Sequence, residues 1–194
     1  DPYALRRLTI GLVKITVQNK KNLKLKDIIN YSCQLYNDQS RVFDNKIILQ
    51  KLSTFIIDRL KNFMKEKGIR QDIIEGSVSE KNIDKLTSTF SKADKLNKII
   101  DKQLGKDIVE NYKRASSILN SEKTQAGEVI LGSADPGLFK NQFEKDLYKK
   151  INDIKKNFTS IGIETDFQAQ LFLLASAKKE VSNFFDNVKV NDDD

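Results

Sequence analysis

The side chains of this sequence with types and spacing suited to chemistry are basic ones at three places along the chain. They are Arg6, Arg7, Arg59, Lys61, Lys113 and Arg114. A guanidinium group binds phosphate through two parallel hydrogen bonds and stacks on unpaired bases, so these residues are candidate contacts for the loops of a folded RNA. The alternative interpretation is structural, with Arg6 or Arg59 pairing with a carboxylate and bracing two helices.

The residues that the chain lacks exclude several kinds of catalytic site. Its 194 residues include no His and a single Cys, Cys33. Without His there is no Ser-His-Asp triad, no imidazole base and no His metal ligand. One Cys makes neither an intrachain disulfide nor a thiolate zinc site, and no P-loop or G-x-G-x-x-G pattern occurs. The sequence therefore predicts a chain that has no metal site and does not catalyse a reaction by itself.

The charge is concentrated at the start of the chain. The formal net charge is +7, and residues 1–70 alone hold 15 basic and 6 acidic side chains. Such asymmetry predicts a polyanionic partner such as nucleic acid. The alternative is that the abundance of Lys, Asn and Ile reflects AT-rich coding, in which case surface lysines carry little information. The longest apolar run, Leu171 to Ala175, is far shorter than the roughly 20 residues that span a bilayer, so no membrane partner is expected. The single Cys fits a reducing cytoplasm, which is the expected location.

Helical periodicity runs through nearly the whole chain and predicts an all-α bundle of seven to nine helices. In the first helix, the spacing of Leu5, Leu8, Leu12 and Ile15 predicts that these four face inward. A long third helix is predicted from Asp44 to Lys67, ended by a glycine directly after it.

Later in the chain, glycine and proline mark the predicted boundaries. A break is predicted near Gly105 and a loop over residues 120–137, where Gly127, Gly132, Pro136 and Gly137 fall. A helix is then predicted to begin at Asp135-Pro136, Gly162 marks a turn, and a single last helix begins at Asp166.

Three segments resemble, in the right order, motifs of one family. Residues 1–7 read D-P-Y-A-L-R-R, residues 113–119 read K-R-A-S-S-I-L, and residues 184–188 read F-F-D-N-V. They are similar to the D-P-[FY]-A-L-R-R, K-R-V-x-N-I-L and F-F-D-x-V motifs of the bacterial glycyl-tRNA synthetase β subunit. Ala115 and Ser117 depart from the family's usual Val and Asn.

The resemblance implies a fold and a division of the chain. It identifies residues 1–194 with the C-terminal part of that β subunit, which contains a helical anticodon-binding domain related to the one in arginyl-tRNA synthetases. Residues 1–43 would be a helical segment linking to a preceding domain. Residues 44–194 would be the anticodon-binding domain, truncated before its final helix.

The resemblance also implies a function and partners. The chain would bind glycine tRNA and position it for aminoacylation by the separate α subunit, in an α2β2 glycine–tRNA ligase. ATP and Mg²⁺ would act at the α subunit, with no cofactor in this chain. The alternative is a helical protein–protein scaffold within the synthetase that makes no direct contact with RNA.

Overall fold

The computed structural model describes residues 2–39, 44–126, 134–161 and 166–188. All regular structure in these ranges is helical, which confirms the all-α prediction: nine α-helices and two short 3-10 turns. The helices are α1 (Pro2–Gln18), α2 (Leu25–Asn37), α3 (Asn45–Glu66), α4 (Gln71–Ser77), α5 (Leu86–Ile99), α6 (Gln103–Ala126), α7 (Gln142–Ile161), α8 (Phe167–Ala175) and α9 (Lys178–Asn187). No helix of this described part is long and apolar enough to cross a membrane.

The chain divides into two compact units, Asp1–Asn97 and Lys98–Asp194. The division suggested by the sequence at residue 43 does not coincide with this boundary. The helices on either side of residue 43, α2 and α3, pack on each other within the first unit.

The first unit is built around α3, which contacts α1, α2, α4 and the 3-10 turn at Glu80–Lys85. The start of α3 is fixed by Asp44, whose side chain accepts hydrogen bonds from the backbone N–H groups of Lys46 and Ile47. Its end is fixed by Gly68, which has a φ of 77°. Because that left-handed conformation is accessible to glycine without strain, the predicted helix end is confirmed.

The inward face predicted for α1 is wrong. Leu8 is 71% exposed and Ile15 is 63% exposed. The buried face of α1 consists of Thr9, Val13, Thr16 and Val17. The four-residue stripe that the sequence suggested for the core thus lies mainly on the surface of the first unit.

In the second unit, α6 packs on α8 and α9, and α7 packs on the same two helices. The start of α7 is a reciprocal cap, in which Asn141 Oδ1 accepts from the N–H of Glu144 at 3.1 Å and Glu144 Oε2 accepts from the N–H of Asn141 at 2.8 Å. At the start of α8, Asp166 Oδ1 accepts from the N–H of Ala169 at 3.0 Å, which confirms the predicted beginning of a helix at this residue.

Several predicted boundaries in the second unit are corrected. Asp135-Pro136 opens only a three-residue 3-10 turn, because the stronger cap at Asn141 and Glu144 starts α7. The predicted last helix is two helices, α8 and α9, separated at Ser176.

The predicted loop over 120–137 is partly helical, since α6 continues to Ala126. Gly127, Gly132 and Gly162 lie outside the described residues. The predicted break near Gly105 is confirmed, since α5 ends at Ile99 and α6 begins at Gln103, and Gly105 itself lies in the first turn of α6. A Cβ there would be 2.4 Å from the carbonyl oxygen of Ile99, so the close approach of backbone requires glycine.

Candidate nucleic-acid interface

The six predicted contact residues lie on three helices. Arg6 and Arg7 are exposed on α1, while Arg59 and Lys61 are half-buried on α3. Lys113 is exposed on α6, next to half-buried Arg114. Arg7, Lys61 and Lys113 form no ion pair or hydrogen bond through their side chains with any residue in the described ranges. Their charges are therefore available to an anionic ligand.

Arg59 is held by an aromatic ring of its own helix. Its guanidinium carbon lies 4.6 Å from the ring centroid of Phe55, one turn earlier in α3. Its Nε atom is buried and makes no hydrogen bond within the described part of the chain. No carboxylate of the described residues pairs with it, so the contact orders the guanidinium without neutralising it. The structure therefore does not place Arg59 as an ionic brace between two helices.

Arg114, by contrast, is an ionic brace. Its Nη1 lies 3.4 Å from Asp186 Oδ1 on α9, and its Nε lies 3.7 Å from Glu110 Oε1 on its own helix. This contact joins the K-R segment of α6 to the F-F-D segment of α9, two of the motifs that carry the resemblance. The two phenylalanines of the second motif, Phe184 and Phe185, are half-buried, with ring centroids 5.2 Å apart in an edge-on arrangement.

A second ionic contact between the same helices involves Lys178, which the sequence analysis did not identify. Its Nζ lies 2.9 Å from Asp107 Oδ1 and also donates a hydrogen bond to Glu110 Oε2. The hydrogen bonds from this ammonium group lower the pKa values of Asp107 and Glu110, and the two carboxylates raise the pKa of Lys178. Sequence spacing gives no signal for this contact, because its partners are 68 and more positions apart.

In the first unit, the ion pair between Arg70 and Asp72 is local. The guanidinium of Arg70 donates to both carboxylate oxygens of Asp72, at 3.2 and 2.8 Å. This hydrogen bonding is the main cause that lowers the pKa of Asp72. Arg70 is thus a basic residue of the charge-rich first third whose charge is largely compensated within the chain.

Comparison with known proteins shows which families this chain resembles. A model described as "Glycyl-tRNA synthetase beta subunit" matches residues 1–79, and a model described as "DALR anticodon binding domain" matches residues 108–194. The chain is 36% identical over its whole length to the glycine–tRNA ligase β subunits of Rickettsia africae (strain ESF-5) and Rickettsia conorii (strain ATCC VR-613 / Malish 7). The chain is similar to the C-terminal part of glycyl-tRNA synthetase β subunits.

The chain matches about a quarter of the length of these relatives. The chain covers 27% of each of these relatives, and also 27% of the Rickettsia canadensis (strain McKiel) β subunit, to which it is 34% identical. It corresponds to the C-terminal part of the β subunit, as the sequence analysis predicted.

The two family models fall in different compact units of the chain. The β-subunit model lies within the first unit, and the anticodon-binding model lies within the second. The first unit holds 19 basic and 11 acidic side chains, whereas the second holds 15 and 16. The basic excess therefore lies outside the part that matches the anticodon-binding model.

Proposed function

We propose that this chain is the tRNA-binding part of a glycine–tRNA ligase β subunit, and that its second unit recognises the anticodon of glycine tRNA. The observation that carries the proposal is the anticodon-binding family match over residues 108–194, within a compact helical unit of a β-subunit chain. The two units would have different roles, because the first has an excess of basic side chains and the second does not.

In this proposal the first unit supplies affinity that does not depend on RNA sequence. Its basic excess attracts the phosphate backbone, and the uncompensated charges of Arg7, Arg59 and Lys61 are its candidate phosphate contacts. Lys113 is the corresponding candidate phosphate contact on the second unit. Arg6 remains a candidate by position, and Arg114 is the weakest of the six because Glu110 and Asp186 already bind it.

The second unit would read the bases, which are splayed out from the anticodon loop and recognised on their edges. Holding the tRNA at its anticodon orients the distant acceptor end toward the site of aminoacylation. That reaction, with ATP and Mg²⁺ and no cofactor in this chain, is proposed to take place on an α subunit in a cytoplasmic α2β2 assembly.

The proposal is tested by titrating the full chain with glycine tRNA, with the same tRNA carrying an altered anticodon, and with an unrelated tRNA, each at two salt concentrations. A lower Kd for the native anticodon at both salt concentrations would support anticodon recognition. Equal and steeply salt-dependent binding of all three would contradict it and leave only a basic surface. Absence of binding would favour the protein–protein scaffold.

A further inference from the structure

A cleft of about 320 Å³ lies between α7 and α9 of the second unit. Its volume is at the lower end of the roughly 300–1,000 Å³ typical of ligand pockets. From α7 come Phe143, Asp146, Lys149, Lys150 and Asp153, and from α9 come Lys179, Glu180 and Asn183. None of the six contact residues predicted from the sequence lines this cleft.

The charged groups of the cleft are not paired with one another. Lys149, Lys150, Lys179 and Glu180 form no ion pair or side-chain hydrogen bond with any part of the chain that the structure describes. One position before Lys179, by contrast, Lys178 binds two carboxylates. The cleft therefore gathers three ammonium groups and two carboxylates, Glu180 and Asp153, that no described residue pairs with. Its third carboxylate, Asp146, accepts a hydrogen bond from Gln142.

Glu180 is the most unusual of these groups. Its Oε2 atom is buried and has no hydrogen-bond partner among the described residues. Because one of its oxygens is buried without a donor, the charge of Glu180 is poorly solvated, and a ligand's N–H group that reaches the other oxygen from the cleft would offset part of that cost.

The ligand must satisfy both kinds of charge. A bare phosphate suits the three lysines but is repelled by the carboxylates, and a cationic ligand suits the carboxylates but is repelled by the lysines. A nucleotide whose base carries an amino group satisfies both, since its phosphate meets the ammonium groups and its amino group donates to the carboxylate. Phe143 offers a ring face against which such a base can stack.

We propose that the cleft between α7 and α9 receives one cytosine of the glycine anticodon, and that Glu180 selects it by accepting a hydrogen bond from the exocyclic amino group. This inference rests on the proposed function. Glycine codons begin with two guanines, so every glycine anticodon has cytosine at its second and third positions. Uracil presents a carbonyl oxygen where cytosine presents its amino group, so a carboxylate repels uracil and binds cytosine.

The test measures the Kd of the full chain for glycine anticodon stem-loops that carry cytosine or uracil at the second or the third anticodon position. The wild type is expected to prefer cytosine at both positions, by about tenfold or more at the position that Glu180 reads. Glu180→Gln should bring the ratio close to one at that position alone, because an amide can donate to the uracil oxygen. An unchanged ratio at both positions in Glu180→Gln would overturn the proposal.

Asp153→Asn is the matched control, because it removes the same charge from the wall of the same cleft. It should strengthen binding of the cytosine and uracil stem-loops alike and leave their ratio unchanged. If Asp153→Asn lowered the ratio as much as Glu180→Gln, selection by Glu180 would be refuted. The preference for cytosine would then depend on the negative charge of the cleft and not on a hydrogen bond to Glu180.

A second measurement uses the wild type only, and so does not depend on how the variants fold. At the position that Glu180 reads, a stem-loop with 2-pyrimidinone should bind more weakly than the cytosine stem-loop, because it lacks the amino group. It should bind more tightly than the uracil stem-loop, because it also lacks the carbonyl oxygen that the carboxylate repels. Binding as tight as with cytosine at both positions would overturn the proposal. A wild type indifferent to the whole anticodon would refute the proposed function itself, whereas wild-type selectivity that persists in Glu180→Gln refutes only this inference.

Discussion

The two units of the chain are stabilised by different interactions. The largest fully buried side chains of the described residues all belong to the first unit: Leu60, Met64, Ile74, Ile83, Leu86 and Val13. In the described part of the second unit, the buried apolar side chains are Ile99, Leu171, Ala175 and Ala177. There, contacts of Lys178 and Arg114 with acidic side chains connect α6 to α9.

This difference suggests a division between support and recognition. Burial of apolar surface needs no specific polar partner, so it suits a unit that holds a fixed shape. A unit that reads bases must present polar groups, and elements that bind ligands are drawn from the less stable parts of a protein. In the second unit, polar side chains both connect the helices and line the cleft between α7 and α9.

The largest expected effect is on the core of the first unit. Leu60 is fully buried on α3, so Leu60→Ala should lower the free energy of unfolding by about 2–5 kcal/mol, through lost transfer energy and a residual cavity. Leu171→Ala in the second unit should fall near the lower end of that range, because fewer buried side chains surround it. Urea unfolding followed by circular dichroism measures both values.

Leu8→Ala is the control for this pair, since Leu8 is 71% exposed and its truncation should leave unfolding nearly unchanged. A cost for Leu171→Ala equal to that for Leu60→Ala would contradict the proposed difference between the units.

A smaller effect, of a few degrees in Tm, is expected from Lys178→Met. This change removes the ammonium group that α9 supplies to Asp107 and Glu110. The matched control is Lys155→Met, which removes the same charge from an exposed position on α7 without a described partner. Equal Tm values for the two variants would show that the contact does not stabilise the second unit.

The pH dependence of that effect follows from the directions of the pKa shifts. Asp107 and Glu110 have lowered pKa values, so their contribution is full above the unfolded values of about 4 and is lost as the pH falls through the folded values. Lys178 has a raised pKa, so its contribution is full below about 10.4 and is lost as the pH rises through the folded value. The Tm difference between wild type and Lys178→Met should therefore be constant near neutral pH and shrink below about pH 4.

Local patterns predicted the fold where one interaction decides the outcome. Asp44, Gly68 and Asp166 mark helix ends as expected, because a cap or a left-handed turn depends on a few adjacent residues. The inward face of α1 could not be predicted in this way, because apolar residues lie on both sides of that helix. Thr9 is buried there because its hydroxyl donates to the carbonyl of Leu5 at 2.8 Å, so its burial leaves no unsatisfied donor.

The candidate site was predictable only in part, for a related reason. Sequence identifies which residues carry charge, but whether that charge is compensated depends on residues far away in the chain. Arg114 and its partner Asp186 are 72 positions apart, and Glu180 and Phe143 meet only because α7 packs on α9. Arg59 differs, since its partner Phe55 is one helical turn away and could have been found from the i, i+4 spacing.

The smallest expected effect distinguishes Arg59 from Arg114, both of which the sequence predicts as RNA contacts. The charge of Arg59 is not compensated by a described carboxylate, so Arg59→Ala should weaken tRNA binding modestly and reduce the slope of log K against log salt by about one. Arg114 already pairs with Glu110 and Asp186, so Arg114→Ala should lower the Tm and leave the slope unchanged. Arg59→Lys keeps the charge but loses the planar fork, so it should retain the slope while binding more weakly. The reverse result would be a changed slope in Arg114→Ala and a wild-type slope in Arg59→Ala. It would mean that ion pairing within the chain does not determine which basic residues contact RNA.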